Sequence, residues 1–381
     1  MTPVGFFLDI PVADRLQRVT RFGGWWLEGA ADRGLALSLA INGVPVAALQ
    51  RMQRPDVGRA LPDVPRAAMA GFLGDLLLPP EFEDGARLAV AVCATDTSGE
   101  VRILHEREYI VDGAHYATTP RARAFDLNGL LSHPGGGPLC LREYGMASLH
   151  DDNAVPVIAG VPHFHRPGEL PLLRLLDTQP THRLGAYVEK LLADIDGVAL
   201  DFGAGVPGPD RLRANVVNLD LIHFPNVDVC SSYLRLPFRD ASFPLVWSLA
   251  TFEHLPDPRA AALEVARILA PGGLFFVDTA FMQPLHGDPD HYFNMTTSGL
   301  RRILEGFEIV DIGAKINHTP SKSLAMQVEA VLPLMREGSW STRLQGLLRE
   351  LRESGGQLDD DLGAIGRETL AAGFYALARR R

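Results

Sequence analysis

Residues 198–208 read Val-Ala-Leu-Asp-Phe-Gly-Ala-Gly-Val-Pro-Gly, an apolar run that breaks into Gly203-x-Gly205-x-x-Gly208, with an acid downstream at Asp220. That spacing is shared by loops that hold dinucleotides and loops that hold other nucleoside cofactors, so the flanking chemistry has to decide. A dinucleotide brings a pyrophosphate, which needs backbone N–H groups and the positive end of a full helix directly after the glycines. Only Pro209-Asp-Arg-Leu-Arg-Ala-Asn215 separates Gly208 from the next strand-like run. This predicts about two helical turns beginning at Pro209, short of the ~10 to 12 residues of an ordinary crossover. Asp201 stands just before the first glycine, where a carboxylate repels a dianion and suits a cation. S-adenosylmethionine carries a sulfonium, an ammonium and a ribose diol but no phosphate. Gly203 and Gly205 allow its close backbone approach, and Asp220 can accept both ribose hydroxyls.

Around this loop, from about residue 183 onward, apolar runs alternate with amphipathic stretches, which predicts an α/β unit with a mostly parallel sheet. The predicted strands are VALDF from 198, ANVVNLDL from 214, FPLVWSLAT from 243 and GGLFFVDTAF from 272. The helix before the last of these is bounded by Asp257 as cap, Pro258 at its first position and Gly272-Gly273 at its end. GFEIVDIGAK from 306 predicts a further strand. In residues 341–354, Leu344, Leu347, Leu348 and Leu351 form one apolar stripe at helical spacing.

Taken together, the glycine loop, Asp220, Leu236-Pro237-Phe238, Glu253-His254-Leu255-Pro256-Asp257-Pro258 and Pro271-Gly272-Gly273 resemble, in that order, the class I S-adenosylmethionine-dependent methyltransferases, over residues 198–312. The resemblance implies S-adenosylmethionine as cofactor and a Rossmann-like α/β domain. It places Asp201, Phe202, Gly203, Ala204 and Gly205 by the methionine part and Asp220 and Leu221 by the ribose. It puts Ser232, Tyr233 and Leu234 by the adenine, and Leu249, Ala250 and Thr251 along the floor. Three departures stand out: a shortened first helix, Pro207 at the usual place of the third glycine, and Ser232 where the family commonly has aspartate. The family's sheet ends in an antiparallel strand, which Leu370–Arg380 fits, leaving helices from about 321 to 370 as an insertion expected to roof the acceptor pocket.

Methyl transfer needs a base only if the acceptor loses a proton. His254 is the first candidate, against a role for Glu253 and His254 in fixing the following turn. The second group is His286, Asp288, Asp290, His291 and Tyr292, whose segment resembles the H-x-x-P…T-x-x-G-L loop bordering the acceptor pocket in bacterial methyltransferases near glycan gene sets. His254, His286 and His291 are thus the candidate catalytic residues.

Upstream, residues 20 to 111 show period-two runs separated by turn signals, notably Asn42-Gly43, and predict a mainly-β sandwich with a loop-rich insert over 54–72. The whole resembles β-sandwich modules attached to bacterial sugar-modifying transferases. Residues 125–166 resemble the small zinc-ribbon-like domain that activates tRNA methyltransferases, without its paired cysteines. His133, Cys140, His163 and His165 lack the spacing of a tetrahedral set, so no metal is expected. The predicted domains are 1–118, 119–170 and 171–381.

With 381 residues, 46% of them hydrophobic, the chain is long enough for two or three domains with cores. A net charge of −10 without a dense basic run argues against nucleic acid. Three scattered cysteines support no disulfide framework, and no apolar run reaches the ~18 residues of a membrane span, so a cytoplasmic location is expected. The leading expectation is methyl transfer to a polar small-molecule acceptor, a saccharide or related metabolite. The alternative is a methyltransferase-fold scaffold in glycan biosynthesis that has lost turnover, and an oxidoreductase ranks third. Self-association into a homodimer stays open.

Overall fold

The computed structural model describes residues 5–27, 35–64, 66–113, 122–151, 153–166, 169–287, 290–315 and 317–381. The chain divides into two compact units, Met1–Arg183 with Ala204–Phe238, and Leu184–Gly203 with Arg239–Arg381.

The first unit begins with a run of antiparallel neighbours, in the order Phe6–Ile10, Val19–Trp26, Gly71–Leu77, Val44–Met52, Ala36–Ile41, Arg87–Thr95 and Val101–Val111. Asn42 and Gly43 take φ of 49° and 82° and Ile41 faces Val44, the two-residue turn that their side chains predict. Phe22, Trp26, Phe72 and Tyr109 anchor the core of this sheet, each burial contributing about 2–3 kcal/mol. The proline-rich insert is not wholly loop: it forms a helix at Pro55–Ala60 and a short turn of helix at Ala67–Met69, and buries Val57, Ala67 and Ala70 against Leu27.

Residues 125–166 supply Leu141–Glu143 and a hairpin of Val155–Ile158 with Val161–Phe164, closed by Ala159-Gly160 at φ of 50° and 81°. Val161–Phe164 then pairs in parallel with Val229–Ser231, which pairs in parallel with Val216–Asp220. The three-residue strand Val229–Ser231 is too short for a sequence period to show and was not among the predicted strands. The predicted helix after Pro209 does not form: residues 204–215 hold turns only, such as Arg211 N–H to Gly208 O at 2.9 Å. Pro207 and Pro209 disfavour helical geometry at the residues before them, Val206 and Gly208, so a turn begun at Pro209 gains no support from the chain preceding it.

The second unit holds Phe307–Ala314, Gly373–Arg380, Leu269–Ala280, Phe243–Leu249 and Ala199–Phe202 in that order. The last three run parallel, and Gly373–Arg380 is antiparallel to both its neighbours, as the terminal strand was expected to be. Leu200, Val246, Trp247, Phe275 and Val277 are fully enclosed, so these strands read as continuous apolar runs.

Helix Pro258–Ile268 starts as predicted, with the Asp257 side chain accepting from Ala260 N at 2.9 Å and Pro258 at its first position, and it buries Ala261, Ala262, Val265 and Ile268. It ends earlier than expected. The residue before Pro271 is pushed out of helical geometry, so Leu269 already begins the strand and Gly272, at φ 75°, lies inside it. The insertion forms helices Pro320–Val331 and Ser339–Thr369, the latter broken at Gly363. Of the predicted stripe, Leu348 is buried and Leu344 and Leu351 are half-buried, but Leu347 is exposed. The packed line passes instead through Ser341, Gly355 and Asp359, where the Asp359 carboxylate accepts from Ser321 N at 2.8 Å and Ser321 Oγ at 2.7 Å.

Candidate functional site

In the second unit the strand Ala199–Phe202 carries Asp201 with no exposure and delivers the chain to Gly203 at φ 78°. A Cβ at Gly203 would lie 2.2 Å from Thr251 Oγ1, so the backbone there is pressed against the turn that follows Phe243–Leu249. That turn is itself held in an unusual state. Ala250 adopts φ 49°, a left-handed conformation rare for alanine, and its N–H donates to Asp278 Oδ1 at 2.9 Å. Asp278, buried, also pairs with Lys315 Nζ at 2.5 Å. Asp278 and Lys315 hold the predicted floor residues Leu249, Ala250 and Thr251 in place, and no local sequence signal marks them.

In the first unit the loop continues through Gly205 at φ 57°, whose N–H donates to Asp220 Oδ2 at 2.7 Å. Asp220 Oδ1 accepts from Ile222 N at 2.9 Å. Both carboxylate oxygens are thus fixed by backbone N–H groups, an acid held in place of the kind that a ribose diol needs as acceptor. Thr181 packs under Gly205 and its Oγ1 accepts from Val206 N at 2.8 Å, a second brace that sequence spacing did not reveal. Leu221 and Leu234 are 42% and 36% exposed, two apolar side chains beside Asp220 and Ser232 in sequence, as the faces of an adenine ring require. Within the first unit these features fit a phosphate-free nucleoside cofactor: an acid acceptor at Asp220, Gly205 in left-handed conformation, and turns in place of a helix between Gly205 and Val216, so no helix N-terminus there takes a pyrophosphate.

The histidines predicted as catalytic come together in the second unit. Ring centroids are 5.2 Å apart for His254 and His286, 5.7 Å for His254 and His291, and 4.2 Å for His286 and His291. Their tautomers follow from partners that can only accept. His254 Nδ1 lies 2.7 Å from Asp290 O and His286 Nδ1 lies 2.9 Å from Pro284 O, so each neutral ring carries its proton on Nδ1 and its lone pair on Nε2. Burial lowers the pKa of His254, the neighbouring rings adding to the effect. Asp290 and Tyr292 join each other through Tyr292 Oη at 3.1 Å from Asp290 Oδ2, while Asp288 lies outside the described residues.

Glu253 is the bolt of this cluster. Its carboxylate accepts from Thr279 Oγ1 at 3.1 Å and Ala280 N at 3.3 Å, and its carbonyl accepts from Tyr292 N at 2.8 Å and Phe293 N at 3.2 Å. Glu253 thus has a structural role, but not the expected one of fixing the following turn and helix: it ties its own turn to the strand Leu269–Ala280 and to the segment at Tyr292 and Phe293, while His254 turns toward that segment.

Burial, with Asp278 adding repulsion, pushes the Glu253 pKa up to about 7 from an ordinary 4.5. Below the lower value the group is neutral in both states. As pH rises through this window the unfolded chain releases its proton first, so folding loses about 3 kcal/mol and then levels off above the upper value. Glu253→Gln removes that loss, so its Tm relative to wild type is expected to rise between pH ~5 and pH ~8. A Tm difference independent of pH would contradict the assignment.

Comparison with known proteins agrees with this geometry. Residues 200–277 match the family model described as a methyltransferase domain. Over that stretch the chain is similar to methyltransferase domains. The strands Ala199–Phe202, Phe243–Leu249 and Leu269–Ala280 run parallel in this part of the chain, with the helix Pro258–Ile268 between the last two, an α/β arrangement. The chain is similar to 24-methylenesterol C-methyltransferase 2 of Oryza sativa subsp. japonica, 29% identical over 201 residues, 45% of this chain and 49% of that protein. It is also similar to a probable chloroplastic tocopherol O-methyltransferase of the same plant, 30% identical over 108 residues, 28% of each chain. A putative sarcosine dimethylglycine methyltransferase from Galdieria sulphuraria aligns structurally with TM-score 0.33 and 18% identity, over 51% of this chain and 84% of that one. The chain thus spans about half or less of the length of these two curated relatives. Among the described residues no helix is long and apolar enough to cross a membrane.

Proposed function

We propose that this chain is an S-adenosylmethionine-dependent methyltransferase acting on a hydroxyl of a saccharide or similar ring-bearing polar metabolite. The observation that carries this reading is the His254 cluster: two imidazoles with Nδ1 engaged by main-chain carbonyls, in loops that follow the carboxyl ends of parallel strands of the methyltransferase domain. The bound cofactor supplies a methyl group already activated by sulfonium, so much of the rate comes from positioning. His254 takes the acceptor proton at Nε2. Asp290 O holds its ring in the needed tautomer, and Glu253 holds the turn that presents it.

Tyr292 and Phe293, 47% and 40% exposed, offer rings on which a cyclic acceptor can stack. A contact from the insertion supports a roof over this loop: Ser323 Oγ, in the helix Pro320–Val331, donates to Met282 O at 2.9 Å. The β-rich segment over 1–118 is read as an accessory domain that helps hold acceptor or partner, an analogy drawn from fold. Incubating the purified chain with methyl-labelled S-adenosylmethionine and cell extract, followed by mass spectrometry, tests the acceptor class. A label on a sugar hydroxyl is expected. A label confined to an amine or to a purely apolar lipid would overturn the saccharide reading.

A further inference from the structure

We propose that His163, His223 and Cys230 bind one zinc(II) ion within the first unit, a site built from side chains that the methyl-transfer reading does not use. They come from three strands. His163 in Val161–Phe164 stands opposite Cys230 in the paired strand Val229–Ser231, and His223 closes the short strand Ile222–His223. One ligand atom from each lies within 4.8 Å of the other two, and all three side chains are buried. His163 Nε2 and His223 Nδ1 are 3.0 Å apart. Neighbouring nitrogens on a tetrahedral zinc sit about 3.3 Å apart, so the donors are already gathered at the spacing of a coordination sphere.

The donor chemistry selects the ion. Two imidazole nitrogens and one thiol sulfur suit zinc and exclude magnesium or calcium, whose shells are oxygen. His163 Nδ1 lies 3.0 Å from His165 Nε2, so a His163 bound through Nε2 finds an outer acceptor for its Nδ1 proton, the arrangement that orients ligating histidines. Two histidines alone could satisfy one another by a hydrogen bond. The convergence of a third, sulfur donor on the same point is what a hydrogen-bonded pair does not call for. On binding, the Cys230 thiol gives its proton to solvent and becomes the thiolate ligand. His163 and His165 line a cavity of about 430 Å³, which supplies an entry path. Three protein ligands leave a fourth position for water.

The residues that sequence spacing offered are not the ones gathered: His133 Nδ1 accepts from Gly135 N at 3.0 Å within its own turn, and Cys140 is in no such cluster among the described residues. The test uses the full chain purified without a metal-binding tag, equilibrated with zinc, desalted and measured by inductively coupled plasma mass spectrometry. About one equivalent of zinc is expected in wild type and in His133→Ala, and at least a tenfold loss in Cys230→Ser and His223→Gln. Because those variants touch buried positions, cobalt(II) loading of the wild type gives a second readout: a near-ultraviolet thiolate-to-cobalt band is expected. Wild-type protein that retains no zinc, or cobalt protein without that band, overturns the proposal.

Discussion

His254→Gln is expected to lower kcat by about 10²- to 10⁴-fold while leaving the affinity for S-adenosylmethionine unchanged, because on the proposed mechanism it removes the general base and nothing from the glycine loop. Glutamine can still donate a hydrogen bond to Asp290 O, so the loop contact at 2.7 Å in the wild type has a substitute and the loss reports on the lone pair. The pH profile carries the same message. Burial lowers the His254 pKa, so the basic, active form persists to lower pH than an ordinary histidine allows, and the rate falls only as pH drops through that depressed value. A variant with near wild-type kcat on a hydroxyl acceptor would show that positioning alone suffices and that His254 serves structure.

A second large effect is expected at Gly203. At φ 78° any side chain costs about 1–2 kcal/mol, and the added Cβ of Gly203→Ala would meet Thr251 Oγ1 at 2.2 Å and Thr251 Cγ2 at 2.4 Å. Together these give on the order of 3 kcal/mol, seen as a loss of cofactor affinity of about 100-fold, a lower Tm, or both. The two causes separate in a double substitution. Gly203→Ala with Thr251→Gly relieves the overlap but not the backbone cost, so it is expected to recover part of the loss and not all. Full recovery would assign everything to the overlap; no recovery would assign it to backbone alone.

How far these features were legible in the sequence depends on the range of the force involved. Local rules worked: Asn42-Gly43 gave its turn because both residues tolerate positive φ, and Asp257-Pro258 opened its helix because cap and fixed φ act within one turn. The antiparallel Gly373–Arg380 followed from the resemblance to a family topology and not from its residues. Local rules also misled. Pro209 suggested a helix start, yet with Pro207 so near, the segment settled into turns, and Gly272 looked like a helix stop when Pro271 had already ended the helix.

The site was legible in part. The Asp220 position is visible because a carboxylate must end that strand to meet a loop 15 residues earlier, and its bond to Gly205 N–H fits. The sequence singles out His254 after one strand and, separately, His286 and His291 after the next; that the three rings meet is seen only in the structure. Asp278, Lys315 and Thr181 were not found, since their roles rest on side chains reaching back to a backbone N–H or a partner 25 to 37 residues away in sequence. His163 and His223, 60 residues apart, meet only because of strand register, and a one-residue slip would turn His163 to the opposite face.

The measurement that bears most directly on the account is an isothermal titration of the full chain with S-adenosylmethionine, run beside Asp220→Ala and beside NADH. One saturable site in the wild type, weakened at least tenfold in Asp220→Ala and no heat from NADH, is the result predicted. No heat from the wild type with S-adenosylmethionine, or saturable binding of NADH in its place, would contradict it.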